Sequence, residues 1–158
     1  MNSGSRTTRI SAMTSNQRFL PRMHIRRPQD FERVYESGLR AGDGHLLVFA
    51  LKNDLGYSRL GLSVSRKHGP AVSRNLKRRR LRESFRLIQQ QLSVGLDVGL
   101  DVVLVPRHRT DSTQADYRNS ILQLTERLCR RLLRPSLPSR PSEIDPEVQS
   151  NAAPETRL

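Results

Sequence analysis

Apolar residues recur with helical spacing near the start of the central region. Phe31, Val34 and Tyr35 fall on one face of a segment that begins at Pro28, a residue favoured in the first turn of a helix. Gly38 is placed to end that segment, because glycine commonly follows the last turn. The pattern predicts a short first helix with one buried face.

Three further segments have the length and composition of strands. Residues 45–52 form a compact apolar run, and the turn-forming residues 53–56 separate it from residues 59–65, in which alternate positions are apolar. Residues 100–106 form a second compact run of the kind found in buried strands. These segments predict a small sheet.

Two longer helices complete the pattern. The first is expected to follow Gly69 and Pro70 and to extend to about Leu92, and the second is expected to begin near Thr113, whose hydroxyl can cap it. The buried stripe of the second helix comprises Tyr117, Ile121, Leu124, Leu128 and Leu132. The order α-β-β-α-β-α predicts an α/β sandwich of the α+β class, with helices packed on a small mixed sheet.

The two ends of the chain lack this periodicity. Residues 1–21 are rich in Ser, Thr and Arg and contain no acid, whereas residues 135–158 contain five prolines. Too little apolar surface is present in either segment to offset the entropy of ordering it. We expect a disordered basic arm (1–21), a folded domain (22–134) and a disordered Pro-rich tail (135–158). An organelle transit peptide is the alternative interpretation of the arm.

Charge narrows the class of partner. Lys and Arg total 28 against 15 acids, for a net charge of +13, and most of the cations are Arg, whose planar fork matches phosphate oxygens. Nucleic acid is the expected partner, ahead of an anionic membrane surface. No apolar run approaches the roughly 20 residues of a membrane span. Cys129 is the single cysteine, which excludes an intrachain disulfide, and we expect a cytoplasmic protein.

The first long helix concentrates this charge on one side. Between positions 66 and 86 there are nine basic residues and one acid, and an arc of about 100° holds five polar positions, Asn75, Arg78, Arg79, Arg82 and Arg86. The opposite arc is suited to packing and holds Leu81, Ser84, Phe85, Ile88 and Leu92. Like charges at such spacing destabilise an isolated helix, so a polyanion is expected to neutralise them. A solvated basic face is the alternative interpretation.

These residues also carry a family resemblance. The segments GLSVSRK at 61–67 and AVSRN at 71–75, followed by Arg78, Arg79 and Arg82, resemble the signature of the bacterial ribonuclease P protein family. The resemblance covers about residues 25–134, including DFERVYESG at 30–38 and the strand end at 105–107. Two positions depart from the family pattern. Leu76 stands where many members have a second Arg, and Lys77 stands where an apolar residue is common.

The resemblance implies a protein subunit that assists a catalytic RNA in removing the 5′ leader of precursor tRNA. It implies contacts to the RNA subunit from Arg74, Asn75, Arg78, Arg79 and Arg82. It places the single-stranded leader in a cleft formed by Phe31, Tyr35, Phe49, Ser63, Ser65, Arg66, Lys67 and Arg107. It further implies a left-handed strand–helix–strand crossover, a protein that is monomeric in the complex, and Mg²⁺ that is required by the holoenzyme and not bound by the protein alone.

The residues themselves leave alternatives open. Phe31, Tyr35 and Phe49 can stack on bases, or they can be ordinary core residues of a chain poor in aromatics. The carboxylates are scattered, with no nuclease or metal site legible, and are expected to be solvated or to cap elements: Asp30, Glu32, Glu36, Asp97 and Asp101. His68 is expected to line a turn near phosphate. A basic ribosomal or chromosomal protein and a protein-only nuclease are the competing functions.

Overall fold

The computed structural model describes residues 18–37, 39–92, 99–108 and 110–133. Its helices are α1 (Pro28–Glu36), α2 (Ala71–Ile88) and α3 (Gln114–Leu133), and its strands are β1 (Arg40–Gly42), β2 (Leu46–Asn53), β3 (Arg59–Leu62) and β4 (Gly99–Pro106). Two 3-10 turns, Pro21–Met23 and Arg66–His68, lie before α1 and before α2. Every predicted helix and strand is present, and β1 is an addition.

The four strands form one mixed sheet in the order β1-β2-β4-β3. β4 is antiparallel to β2 and parallel to β3, so α2 is the helix of a strand–helix–strand unit. The predicted α+β fold with a small mixed sheet is therefore confirmed, while the left-handedness of the crossover stays a prediction. The turn at residues 53–56 joins β2 to β3, but the two strands do not pair because β4 lies between them.

The sheet is covered on both faces, which explains why every residue of β4 is buried. α2 and α3 pack on one face, against a core from alternate strand positions: Leu46, Val48, Ala50, Leu60, Val102 and Leu104. α1 packs on the other face, against a smaller cluster that includes Leu47, Phe49, Val103 and Val105. Because strand side chains alternate between faces, one register places both sets. In the described residues, no helix is long and apolar enough to cross a membrane.

The start of α3 follows the predicted chemistry, whereas Gly38, which was predicted to end α1, lies outside the described residues. The Thr113 hydroxyl accepts a hydrogen bond from the Asp116 N–H at 3.2 Å, and the Asp116 carboxylate accepts from the Thr113 N–H at 2.8 Å, which is a capping box. The predicted buried stripe of α3 packs on the sheet. α2 ends at Ile88, earlier than predicted, although Leu92 beyond it remains buried.

The predicted basic arm and Pro-rich tail lie mostly outside the described residues. Residues 18–21 of the predicted arm are described, and Phe19 packs against the main core, with its ring centroid 5.7 Å from that of Phe85. The packed part of the chain thus begins before residue 22. Phe19 was missed because one aromatic residue in a polar segment has no periodicity.

Candidate nucleic-acid interface

The first candidate surface is the outer side of α2, which we call the arginine face: Asn75, Arg78, Arg79 and Arg82. The opposite side of the helix carries Leu81, Ser84, Phe85 and Ile88, all at most 3% exposed. Asn75, Arg79 and Arg82 are exposed, and Arg74 and Arg78 are half-buried. The helical phase read from the sequence is therefore correct, and α2 presents a basic side to solvent.

Arg78 is the member of this face that is fixed by the protein. One terminal nitrogen donates to the carbonyl of Val64 at 3.0 Å, and the other donates to the Asn75 side-chain oxygen at 3.3 Å. These contacts tie the start of α2 to the residues that follow β3. A guanidinium held in one orientation loses less conformational entropy when it binds phosphate.

Arg86 was predicted to belong to the arginine face, but its guanidinium is paired within the protein. Its guanidinium donates two hydrogen bonds to the carboxylate of Glu83, at 3.0 and 2.6 Å. This pairing lowers the pKa of Glu83 and keeps its carboxylate charged. The helical wheel placed Arg86 correctly in angle, but it did not show that the one acid of this region is its i−3 neighbour.

Two other cations of α2 brace the loop that follows β4. The Lys77 ammonium donates to the carbonyl of Thr110 at 3.2 Å, and Arg80 donates to the carbonyl of Ser112 at 3.0 Å. Lys77 is half-buried, as suits a side chain whose aliphatic stem can pack while its ammonium reaches a polar partner. Leu76, the other departure from the family pattern, is 46% exposed. Basic residues of α2 thus have two roles, surface charge and internal support.

The second candidate surface lies on the opposite face of the sheet, under α1. The rings of Phe31 and Tyr35 have centroids 6.4 Å apart, and Tyr35 meets Phe49 edge-on at 4.8 Å. The side chains of Tyr35 and Ser63 are hydrogen-bonded to each other; burial raises the pKa of Tyr35 against the opposing effect of this bond. The structure therefore brings four of the predicted leader-binding residues together, and we call them the aromatic cleft.

Burial separates the roles of the three rings. Phe49 is 3% exposed and supports Tyr35 from within the sheet, so it has no face for a base to stack on. Phe31 and Tyr35 are half-buried and retain exposed edges. The prediction that Phe49 forms part of the stacking surface is wrong as to its exposure, because an alternating strand places this residue toward α1.

The ring of Phe31 packs closely against Gly61. A Cβ atom on Gly61 would lie 2.8 Å from the Cε1 atom of Phe31 and 3.1 Å from a methyl carbon of Val103. Such distances are closer than van der Waals contact allows, so any side chain at position 61 would displace the ring. Glycine here permits the close approach of α1 to β3.

The residues predicted for the polar edge of the cleft lie on the 3-10 turn Arg66–His68 and at the end of β4. Arg66 and Lys67 are exposed, and the Arg107 guanidinium donates to the carbonyl of Asp43 at 3.3 Å. Ser65 is half-buried and begins the turn, and its N–H donates to the His68 Nδ1 atom at 3.1 Å.

His68 fixes this turn from inside the protein. Because Nδ1 accepts from Ser65, Nε2 carries the proton and donates to the carbonyl of Pro106 at 2.8 Å. His68 is buried. The prediction that it lines a turn is correct, and the ring joins this turn to β4. Its expected position near phosphate stays a prediction.

In the described part of the chain, no three His, Cys, Asp or Glu residues come together as metal ligands. Glu32 and Glu36 are exposed, and Asp97 lies outside the described residues. Asp101 differs from the prediction of a solvated charge, because its side chain is only 3% exposed and accepts hydrogen bonds from Arg59 and Asn53.

Comparison with known proteins identifies the family of this chain. A family model described as Ribonuclease P matches residues 19–137. The chain belongs to the ribonuclease P protein family. The ribonuclease P protein component of Clostridioides difficile is 36% identical over 104 residues, spanning 65% of this chain and 89% of that protein. That of Oleidesulfovibrio alaskensis is 39% identical over 106 residues, spanning 66% and 81%.

Solved ribonuclease P proteins share the fold. A mutant of the Staphylococcus aureus protein superposes with a TM-score of 0.58 at 28% identity, covering 66% of this chain and 86% of that one. The Thermotoga maritima protein gives a TM-score of 0.54 at 32% identity, covering 66% and 96%. The family assigned from the motifs at 61–67 and 71–82 is therefore confirmed.

Proposed function

We propose that this chain binds the catalytic RNA of ribonuclease P through the arginine face and the 5′ leader of precursor tRNA through the aromatic cleft, in the cytoplasm and as a monomer within the complex. The observation that carries the proposal is the placement of the two surfaces on opposite faces of one sheet. A single rigid domain can then hold two RNA segments at once.

The arginine face suits structured RNA. Asn75, Arg79 and Arg82 project from one side of α2, where guanidinium groups can contact successive phosphates. Arg74 and Arg78 lie at the edge of this face, and Arg78 is already oriented by Val64. Binding of this kind releases counterions, so it depends steeply on salt.

The aromatic cleft suits a single strand. Phe31 and Tyr35 present half-buried rings, and base stacking on an aromatic side chain contributes about 1–3 kcal/mol per base. Arg66 and Lys67 are exposed, and as the predicted polar edge of the cleft they can neutralise the backbone of the same strand. Ser63 and Arg107 lie on the same side of the sheet, and they complete a polar border.

The proposal assigns the hydrolytic step and its Mg²⁺ to the RNA subunit. The residues of this chain then bind and orient: the arginine face fixes the protein on the catalytic RNA, and the cleft directs the leader away from the cleavage site. Holding the leader adds affinity for precursor tRNA that mature tRNA cannot obtain, so product is released more readily than substrate.

Reconstitution tests this function. The full chain is combined with its cognate ribonuclease P RNA, and cleavage of precursor tRNA is measured at low Mg²⁺, with RNA alone as the control. We expect the protein to raise cleavage and to bind precursor tRNA more tightly than mature tRNA. Unchanged cleavage would refute the proposal. RNA binding without leader preference would favour a general basic protein, and cleavage by the chain without RNA would favour a protein-only nuclease.

A further inference from the structure

The N-terminal segment folds back along the free edge of the sheet. β3 is the outermost strand on this side, and His24 forms a parallel bridge with Leu60 of that strand. The Ile25 N–H donates to the Leu60 carbonyl at 2.8 Å. The segment is therefore attached to the sheet by its backbone, and the 3-10 turn Pro21–Met23 precedes the attachment.

An aromatic contact joins this segment to α2. The ring of Phe19 contacts two other rings edge-on: His24, at a centroid distance of 4.2 Å and an angle of 64°, and Phe85, at 5.7 Å and 68°. Phe85 is fully buried on the packing side of α2. The imidazole of His24 thus has a fixed position beside the helix that carries the arginine face.

Two exposed arginines flank this imidazole. Arg82 is three residues before Phe85, so the two are neighbours on the surface of α2. Arg26 is two residues after His24, and extended backbone places such residues on the same side. Both arginines act electrostatically on His24, and no carboxylate is among the groups that do so in the described residues.

We propose that His24, Arg26 and Arg82 form a phosphate-binding site that extends the arginine face of α2 onto the N-terminal segment. The inference rests on the proposed function and names a further part of the same interface. The ligand is a backbone phosphate of the ribonuclease P RNA, because Arg82 belongs to both surfaces. The site contains one group that can change its charge near neutral pH.

The imidazole of His24 couples RNA binding to the uptake of a proton. In the free protein, burial lowers the pKa of His24 below its ordinary value of 6.5, and the charges of Arg26 and Arg82 lower it further. A phosphate between the arginines offsets their repulsion and stabilises the imidazolium, which raises the pKa of His24 in the complex. RNA binding then takes up a proton. Affinity rises as the pH falls through the pKa of the complex and levels off below that of the free protein.

The experiment measures the affinity of the full chain for its cognate ribonuclease P RNA between about pH 5.5 and 8. Four variants are compared with the native chain: His24→Gln, His24→Arg, Arg26→Ala and, as a charge-matched control on the outer side of α3, Arg127→Ala. Urea unfolding of each variant checks that the fold is retained.

We expect the affinity of the native chain to rise by up to about tenfold toward low pH and that of His24→Gln to stay flat. His24→Arg is expected to be flat as well, but to bind at high pH as tightly as the native chain does at low pH. Arg26→Ala is expected to reduce the slope of log affinity against log salt by about 0.7–0.9, and Arg127→Ala to leave it unchanged.

A pH profile of His24→Gln that matches the native chain, or an unchanged salt slope in Arg26→Ala, would overturn the inference. Losses confined to leader-bearing precursor tRNA would overturn the assignment of the ligand to the RNA subunit. A native chain that does not bind ribonuclease P RNA at all would refute the proposed function instead.

Discussion

Arg59 and Asp101 are directly opposite each other on the parallel strands β3 and β4, and they are joined by two hydrogen bonds. The Nε atom donates to one carboxylate oxygen at 2.8 Å, and a terminal nitrogen donates to the other at 2.6 Å. Asn53 donates to the same carboxylate at 2.6 Å, and Arg59 also reaches Asp30 of α1 at 3.4 Å. One guanidinium therefore links the sheet to α1, next to the residue that packs on Gly61.

Removal of this guanidinium is expected to destabilise the fold. In Arg59→Ala, the buried carboxylate of Asp101 retains only Asn53, and breaking a buried ion pair from one side costs about 3–5 kcal/mol. The matched control is Arg130→Ala, because Arg130 pairs with Glu126 on the exposed side of α3, where such pairs contribute about 0.3–0.5 kcal/mol. Urea unfolding measures both. Equal losses in the two variants would contradict a structural role for the Arg59–Asp101 pair.

The network also shows where sequence-based prediction stops. The alternation of residues 59–65 predicted a strand, and the apolar run at 100–106 predicted a buried one, and both are present. Nothing in either pattern says that the two strands are parallel neighbours. Asp101 was therefore expected to be solvated. The pairing of Arg59 with Asp101 arises from register across 42 positions of sequence, which local periodicity does not contain.

The close contact between Phe31 and Gly61 predicts a selective defect. Gly61→Ala would place a methyl group 2.8 Å from the Phe31 ring, and such overpacking costs about 1–3 kcal/mol. We expect a lower affinity for the leader, because the ring of Phe31 must shift. The affinity for the ribonuclease P RNA is expected to be unchanged. Binding of precursor tRNA and of mature tRNA by the reconstituted holoenzyme measures the difference.

Two variants complete this test. Gly44→Ala is the control, since a Cβ atom there meets nothing within 4 Å, and it is expected to behave as the native chain. The double variant Gly61→Ala with Phe31→Leu removes the ring edge that clashes. Its loss in free energy of unfolding should therefore be smaller than the sum of the losses in the two single variants. Additive losses would show that Phe31 and Gly61 are not coupled.

The arginine face predicts a change in salt dependence. Replacement of Arg79 and Arg82 by Ala is expected to weaken RNA-subunit binding and to reduce the salt slope by about 0.7–0.9 for each phosphate that is no longer neutralised. Arg78 is left unchanged because its bond to Val64 gives it a structural part. The control replaces Arg127 and Arg130 of α3, which removes the same charge elsewhere. An identical slope in both double variants would mean that net charge, and not the position of the arginines, governs binding.

Helical phase was sufficient to predict this face, but not which of the basic residues of α2 are hydrogen-bonded within the protein. A period of 3.6 residues places Arg79 and Arg82 on the side of α2 away from Ser84 and Ile88, whatever the rest of the fold does. The partners of Arg78, Arg80 and Arg86 come instead from Val64, Ser112 and Glu83. Two of these partners lie in other parts of the fold, so three-dimensional structure was needed to separate internal supports from surface charges.

The turn between β1 and β2 depends on an ionised carboxylate. Asp43 Oδ1 accepts hydrogen bonds from the backbone N–H groups of His45 and Leu46, both at 2.8 Å. Burial alone would raise the pKa of Asp43, but the hydrogen bonds from Ser120 and from these two N–H groups outweigh it and lower the pKa. A lowered pKa stabilises the fold above the pKa of the unfolded chain, and this contribution is lost as the pH falls through the lower value.

Asp43→Ala is therefore expected to be less stable than the native chain at neutral pH, by about 1–3 kcal/mol for backbone donors left without their acceptor. The difference should narrow as the pH falls below about 4, because the native carboxylate then becomes protonated as well. Urea unfolding at several pH values measures it, with the exposed Asp54→Ala as control. A difference that stays constant down to low pH would show that the side chain acts through packing and not through its charge, since only an ionised acceptor loses its advantage on protonation.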